Sequence, residues 1–223
     1  MSEPLVTCLC LTKAGRGQFL RRAIGCYLDQ SYENREMLIV PDQWQNIDDS
    51  YSPKWDAFGI EVLGLGCNVD RCIGSKRNQG CQAARGEIIA IWDDDDYSAP
   101  GRLKFQVQSL QVSRKAVTGF WVMKFTDGSF WWRFQAAAGF VIGSSLCFRK
   151  DWWDARHPNP KFSHVRPHNF PELQVGEDVG FCSFANEEGQ LASCPDMDLM
   201  YATIHQDNTS VRQPDKDPGW LRL

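Results

Sequence analysis

Residues Ile88–Trp92 (IIAIW) are apolar without interruption and run directly into four consecutive aspartates, Asp93–Asp96. No other feature constrains the fold as strongly. A short apolar run with polar flanks reads as a strand buried on both faces, and such a strand needs helices covering the sheet on each side. The aspartates then stand at the strand's carboxyl end. Four like charges held this close are costly unless a cation or donor groups offset them. Aspartate also caps helices, and a helix is expected after Pro100, so the run taken alone leaves cap and ligand site open. Its place at the strand end favours the ligand site. Hard divalent cations take oxygen ligands and bridge carboxylates to substrate phosphates, which accounts for the cluster better than a cap does.

The first half repeats this strand–helix logic. Leu5–Thr12 is a buried strand broken by Gly15–Gly17, after which Phe19, Leu20, Ala23, Ile24, Tyr27 and Leu28 recur at helical spacing. Met37–Val40 is a second strand stopped by Pro41, Asp42–Lys54 reads as loop, and Ile60–Leu65 is a weaker strand. Gly74–Arg85 is a helix ending at Gly86, and the helix after Pro100 carries Leu103, Val107 and Leu110 on one face. The alternation predicts an α/β fold with a mainly parallel, Rossmann-like sheet and helices on both faces. Ligands of such sheets bind beyond the carboxyl ends of the strands.

The second half predicts a smaller antiparallel part. Phe120–Phe125 and Ser129–Phe134 flank Asp127-Gly128, a hairpin turn, and six of the nine tryptophans lie between Trp121 and Trp220. These aromatics either fill the core or offer an acceptor surface, as does the loop His157–Pro171. Leu146–Phe148 reads as a strand and Asp178–Asn186 as a short helix; the polar tail from Gln206 is expected to run over the surface.

Length and composition bound the classes. A chain of 223 residues fits a single domain. A net charge of −4 gives no broad attraction to nucleic acid or anionic lipid. No run reaches the ~18 apolar residues of a membrane span, and Met1–Thr12 lacks the features of a signal peptide. The nine cysteines are scattered, with Cys67 and Cys72 at C-x4-C and no C-x2-C pair, so reduced thiols in a cytoplasmic protein are expected rather than a zinc site.

Two further features carry chemistry. Gly176-Glu177-Asp178 precedes a helix, where an acidic pair suits the helix dipole or supplies a general base; spacing does not choose between them. His205, in the segment Tyr201–Ser210 (YATIHQDNTS), is either structural or a ligand. His157, His164 and His168 form no metal motif.

The stretch Ser75–Leu110 (SKRNQGCQAARGEIIAIWDDDDYSAPGRLKFQVQSL) resembles the central signature of glycosyltransferase family 2. That signature has an Arg-Asn-x-Gly helix, an Ala-x-Gly-Glu turn, an apolar strand, an Asp-x-Asp-Asp run and a Pro followed by a basic-apolar helix. The N-terminal strand ending in Thr12, Phe19–Ile24, Gln30-Ser31-Tyr32 and Met37–Val40 resemble the family too, as do Glu177-Asp178 and the His205, Asn208, Ser210 segment. The resemblance implies a GT-A fold across residues 1–223. The half 1–115 would bind a nucleotide-sugar, 116–210 would hold acceptor and base, and 211–223 would be a surface tail.

The resemblance also implies inverting transfer from a nucleoside-diphosphate sugar to an acceptor hydroxyl. By it, Thr12 lies at the nucleotide loop, Asp42 meets the base, and Arg77 lies near the nucleotide or its diphosphate. Asp93 and Asp94 lie on the donor side, Asp93 toward the ribose; Asp95 and His205 hold Mn²⁺ or Mg²⁺; Asp178 is the general base. The run of four leaves its register open, with Asp94 and Asp96 as alternatives to Asp93 and Asp95. The acceptor is a glycan, a protein or a modified nucleobase. Two departures fall on the nucleobase side and leave the donor's nucleotide open. Pro41-Asp42-Gln43-Trp44 keeps one aspartate where the family usually shows two, and Lys13 stands where an aromatic often follows Thr12. The rival readings are a nucleotidyltransferase, for which Ala14–Gly17 is a faint echo of a Gly-rich phosphate loop, and a non-catalytic nucleotide-sugar-binding module.

Overall fold

A computed structural model describes residues 3–42, 55–63, 72–155, 168–195 and 198–223. The loop expected after Asp42, with Trp44, therefore lies mostly outside the described residues, as do Cys67, His157 and His164. The parallel half is built from β1 (Val6–Thr12), β2 (Arg35–Pro41), β3 (Ile60–Val62) and β4 (Ile88–Ile91). β1 lies between β2 and β4, and β3 pairs outside β2, all parallel. Pro41 does not stop β2 short; it is the strand's last residue, opposite Thr12.

Side-chain alternation along these strands sorts the core into two layers. Cys8, Cys10, Met37, Ile39, Ile88 and Ala90 pack with Leu20, Ala23, Ile24 and Tyr27 of α1 (Gly17–Leu28) and with Leu103, Val107 and Leu110 of α3 (Arg102–Ser113). Leu9, Leu38, Val40, Ile89 and Ile91 pack instead with Cys81 of α2 (Ile73–Ala83) and with Phe181, Cys182 and Ala185 of α5 (Glu177–Glu187). Both faces are covered, which is why the strands carry no polar stripe. Each large apolar side chain fully buried here contributes roughly 1.5–3 kcal/mol. The eight described cysteines are free.

The sheet changes sense at β8 (Cys147–Arg149), which is antiparallel to both β4 and β6 (Val117–Thr126). From there β6 forms the expected hairpin with β7 (Trp131–Gln135), while β5 (Tyr97–Ser98), β9 (Leu191–Pro195) and β10 (Met200–Thr203) complete the curl. A short helix, α4 (Lys150–Asp154), follows β8. The polar tail ends as an edge strand, β11 (Trp220–Arg222), antiparallel to β7. Phe120, Phe125 and Met200 form a third core with Phe134 and Trp220 against it, Phe148, Trp153, Phe170 and Phe181 join the second layer, and Phe130 and Trp131 remain 47 % and 41 % exposed. Among the described residues no helix is long and apolar enough to cross a membrane.

Candidate active site

The carboxyl ends of β1, β2 and β4 open into a cavity of about 490 Å³, closed on the far side by Phe134 to Ser144 and the start of α5. Asp93–Asp96 follow β4 directly and all four line it. Their surroundings separate them. Thr12 Oγ1, at the end of β1, donates to Asp94 Oδ2 at 2.7 Å. Arg16, in the loop before α1, forks across the run: it donates to Asp94 Oδ1 at 2.8 Å and to Asp95 Oδ2. The Ala14–Gly17 segment thus presents a cation to the acidic run. Asp93 leans toward Arg77 of α2, 3.7 Å away, and Asp96 Oδ1 accepts from the backbone of Thr203 at 3.2 Å.

Burial dominates the electrostatics. It pushes the Asp94 carboxyl up to about 7 even with Arg16 beside it, and it raises Asp93 and, further, Asp96, with the neighbouring aspartates adding to the effect for each. One cation supports the run from within. Arg102 is buried, and burial holds its guanidinium below its ordinary value. It donates to the backbone oxygens of Ile91 (2.6 Å) and Ser144 (3.0 Å) and lies 4.8 Å over the Trp92 ring.

One oxygen each from Asp93, Asp95 and Asp96 converges within 4.8 Å. Three hard oxygen donors with no sulfur fit Mg²⁺ or Mn²⁺. His205 reaches this group through Asp95 Oδ2, 2.9 Å from its Nε2, and its ring is stacked on Phe19 at 4.7 Å. Asn208 Nδ2 donates to the same oxygen at 3.2 Å.

The acidic pair at the start of α5 divides. Glu177 is buried and takes Arg77 Nη1 at 2.8 Å; burial raises its carboxyl while Arg77 opposes. Asp178 lines the cavity with no ion pair to a described residue. Gly176 takes φ +85, the left-handed turn that starts the helix. Gly143 lets Asp178 close on the opposite wall, since a Cβ there would lie 2.0 Å from Asp178 Oδ2. Asp42 also lines the cavity and pairs with Lys76.

Thr12, Asp42, Arg77, Asp93–Asp96, Glu177 and Asp178 therefore line one cavity, whereas His205 does not line it and reaches the site through Asp95. Sequence reasoning missed Arg16, Lys76 and Arg102. The signal for Arg16 was its place in the loop after β1, on the ligand-binding edge of the sheet.

A sheet of this order, with its acidic run at the carboxyl edge, is the architecture of GT-A glycosyltransferases. TarS from S. aureus superposes with a TM-score of 0.68 at 19 % identity, over 89 % of this chain and 60 % of that one. The mannosyltransferase PcManGT from Pyrobaculum calidifontis, solved with GDP-Man and Mn²⁺, superposes at 0.65 and 14 % identity, over 92 % and 57 %. Residues 12–184 match the profile of Glycosyl transferase family 2, and the chain belongs to that family. A glucosyl-dolichyl phosphate glucuronosyltransferase from Haloferax volcanii is 23 % identical over 211 residues, 82 % of this chain and 66 % of the relative. The putative colanic acid biosynthesis glycosyl transferase WcaA from Escherichia coli is 33 % identical over 105 residues, 46 % of this chain and 36 % of the relative. The chain thus spans less than two thirds of the relatives it matches.

Proposed function

We propose that this chain is an inverting glycosyltransferase that moves a sugar from a nucleoside-diphosphate sugar to an acceptor hydroxyl, with Asp178 as general base. One observation carries the reading. Of two adjacent carboxylates at the start of α5, Glu177 is tied to Arg77 while Asp178 faces the cavity with no ion pair to a described residue. A carboxylate in that position is free to take a proton.

The roles that the family resemblance implies for the other residues are supported by the walls they line. Asp42 with Lys76 faces the nucleobase, and Thr12 with Asp94 and Asp93 faces the ribose. Arg77 contributes positive charge beside Asp93, where the diphosphate would leave. Asp95, joined by Asp93, Asp96 and His205, would hold Mn²⁺ or Mg²⁺, which supplies Lewis-acid compensation of leaving-group charge. The acceptor hydroxyl lies against Asp178 and gives up its proton there as its oxygen attacks the anomeric carbon from the face opposite the diphosphate. One displacement inverts the configuration and needs no protein nucleophile. Phe134, Ala136, Phe140, Val141 and Ile142 give this side of the cavity an apolar wall.

Neighbours support the donor class: TarS has been solved with UDP and with UDP-GlcNAc, and PcManGT with GDP-Man and Mn²⁺. The test has two parts. A thermal-shift panel of nucleoside diphosphates and their sugars, with and without Mn²⁺, should show stabilisation by one nucleotide class. Asp178→Asn should keep that shift while transfer falls at least ~100-fold. Stabilisation by none of the panel, or near-normal transfer by Asp178→Asn, would sink the reading.

A further inference from the structure

Arg16 occupies a position that the proposed chemistry leaves unexplained. Its guanidinium spans Asp94 and Asp95, and its Nη2 is also 3.2 Å from His205 Nε2. Asp95 Oδ2 is crowded as a result: Arg16, His205 and Asn208 all converge on that one oxygen. A divalent cation on the same oxygen has to displace at least one of them. Arg16 is the natural one to leave, because its positive charge opposes a second cation at ion-pair distance.

The surroundings make that departure cheap. Arg16 precedes α1 with no side-chain cap bond, and its Nε is buried without a hydrogen-bond partner among the described residues. Gly15 before it is at φ +79 with nothing within 4 Å of a Cβ placed there, and α1 begins with another glycine, Gly17. The glycines leave the loop room to turn, and what the side chain gives up besides its ion pairs is its place 5.2 Å over the Phe19 ring.

We propose that Arg16 is an exchangeable counter-cation. In the metal-free chain it offsets Asp94 and Asp95; when a divalent cation takes Asp95, the guanidinium passes to the diphosphate, whose paired oxygens match its fork. Metal and nucleotide then bind cooperatively, since each makes room for the other. This rests on the reading above that Asp95 ligates the metal and that the donor is a nucleoside diphosphate.

The experiment counts free Mn²⁺ by electron paramagnetic resonance over the full chain, without nucleotide and with saturating UDP or GDP. Arg16→Met should bind Mn²⁺ alone about tenfold more tightly than wild type, within the ordinary range of coupling between sites. A diphosphate chelates Mn²⁺ by itself, so coupling is read as the ratio of variant to wild type. Nucleotide should tighten Mn²⁺ binding several-fold less in Arg16→Met than in wild type. Arg16→Lys, which keeps the charge but not the fork, should fall between, and it decides the question if Arg16→Met does not fold. Equal or weaker Mn²⁺ binding by a folded Arg16→Met overturns the proposal while leaving the metal reading intact. Wild type and Asp95→Asn binding Mn²⁺ alike, with or without nucleotide, overturns both.

Discussion

Two buried carboxylates stand at opposite ends of the parallel sheet and meet opposite fates. Glu36 lies near the amino end of β2, and Asp94 lies past the carboxyl end of β4. Burial pushes both upward. At Glu36 that push is overcome: the Thr7 hydroxyl donates at 2.6 Å, and Arg85 donates through its backbone N–H at 3.0 Å and its Nε at 2.7 Å, leaving the carboxyl below its ordinary value. At Asp94 burial wins, and the carboxyl rises to about 7 despite Thr12 and Arg16. One end of the sheet is supplied with donors. The other is left short of positive charge, which is the end where a cation or a ligand's donors complete the balance.

Arg102 supports the deficient end from beneath, alongside Arg16 and Arg77 at its surface, and its loss tests the comparison hardest. Its donors satisfy Ile91 O, Ser144 O, Ser98 Oγ and Gln106 Oε1, tying β4, β5, α3 and the segment opposite Asp178 into one unit. Arg102→Leu strands buried acceptors and removes the positive charge behind Asp93 and Asp96. The expected cost is about 3–5 kcal/mol, read as a lower urea midpoint at unchanged slope. Arg102→Lys should recover only part, because an ammonium cannot reach the same acceptors in a fork. A loss below ~1 kcal/mol in Arg102→Leu would mean that the acidic run needs no internal counter-charge.

Much of this contrast was legible in the sequence, and the reason is periodicity. IIAIW followed by four aspartates placed the run at a strand's carboxyl end because an uninterrupted apolar run suits a strand with both faces covered, and Ile89 and Ile91 do face one helix layer while Ile88 and Ala90 face the other. β5 and β9 were missed: Tyr97–Ser98 is too short to show a period, and Leu191–Pro195 (LASCP) has little β-propensity and owes its extended form to β6. The edge strand at Trp220–Arg222 was hidden by its polar neighbours for the same reason. In the site, the acids announced themselves by clustering. Their counter-cations did not. Arg16, Lys76 and Arg102 are scattered along the chain, and only the fold brings them to Asp94, Asp42 and the floor beneath Asp93. The division of labour between Glu177 and Asp178 was equally invisible, since it depends on which of two adjacent carboxylates Arg77 reaches.

At the satisfied end, Glu36→Gln sharpens the comparison through pH. A carboxyl held below its ordinary value stabilises the fold above the ordinary glutamate pKa, and that stability is lost as pH falls through the folded value. Wild type should therefore exceed Glu36→Gln by about 1–2 kcal/mol at pH 7, with Arg85 contributing at the low end because its side chain is 64 % exposed. The gap should narrow below pH of about 4.5 and close in stronger acid. Urea unfolding of both proteins at several pH values reads this directly. A gap that widens on acidification would contradict the sign.

At the deficient end, the matching amide substitution should act in the opposite direction. Asp94→Asn keeps an oxygen for the Thr12 hydroxyl and leaves Arg16 its second partner, Asp95. What it removes is one of four crowded charges in a buried setting, so the metal-free protein should gain about 1 kcal/mol, a rise in Tm of roughly 2–4 °C for a chain of this size. The same change should weaken nucleotide binding in the presence of Mn²⁺, because the charge that burdens the empty fold is the one the ligand's partners need. Differential scanning calorimetry without metal and titration of nucleotide with it measure the two effects separately. If Asp94→Asn destabilises the metal-free protein as Glu36→Gln does, both ends of the sheet are equally well satisfied, and the charge deficit assigned to the carboxyl end does not exist.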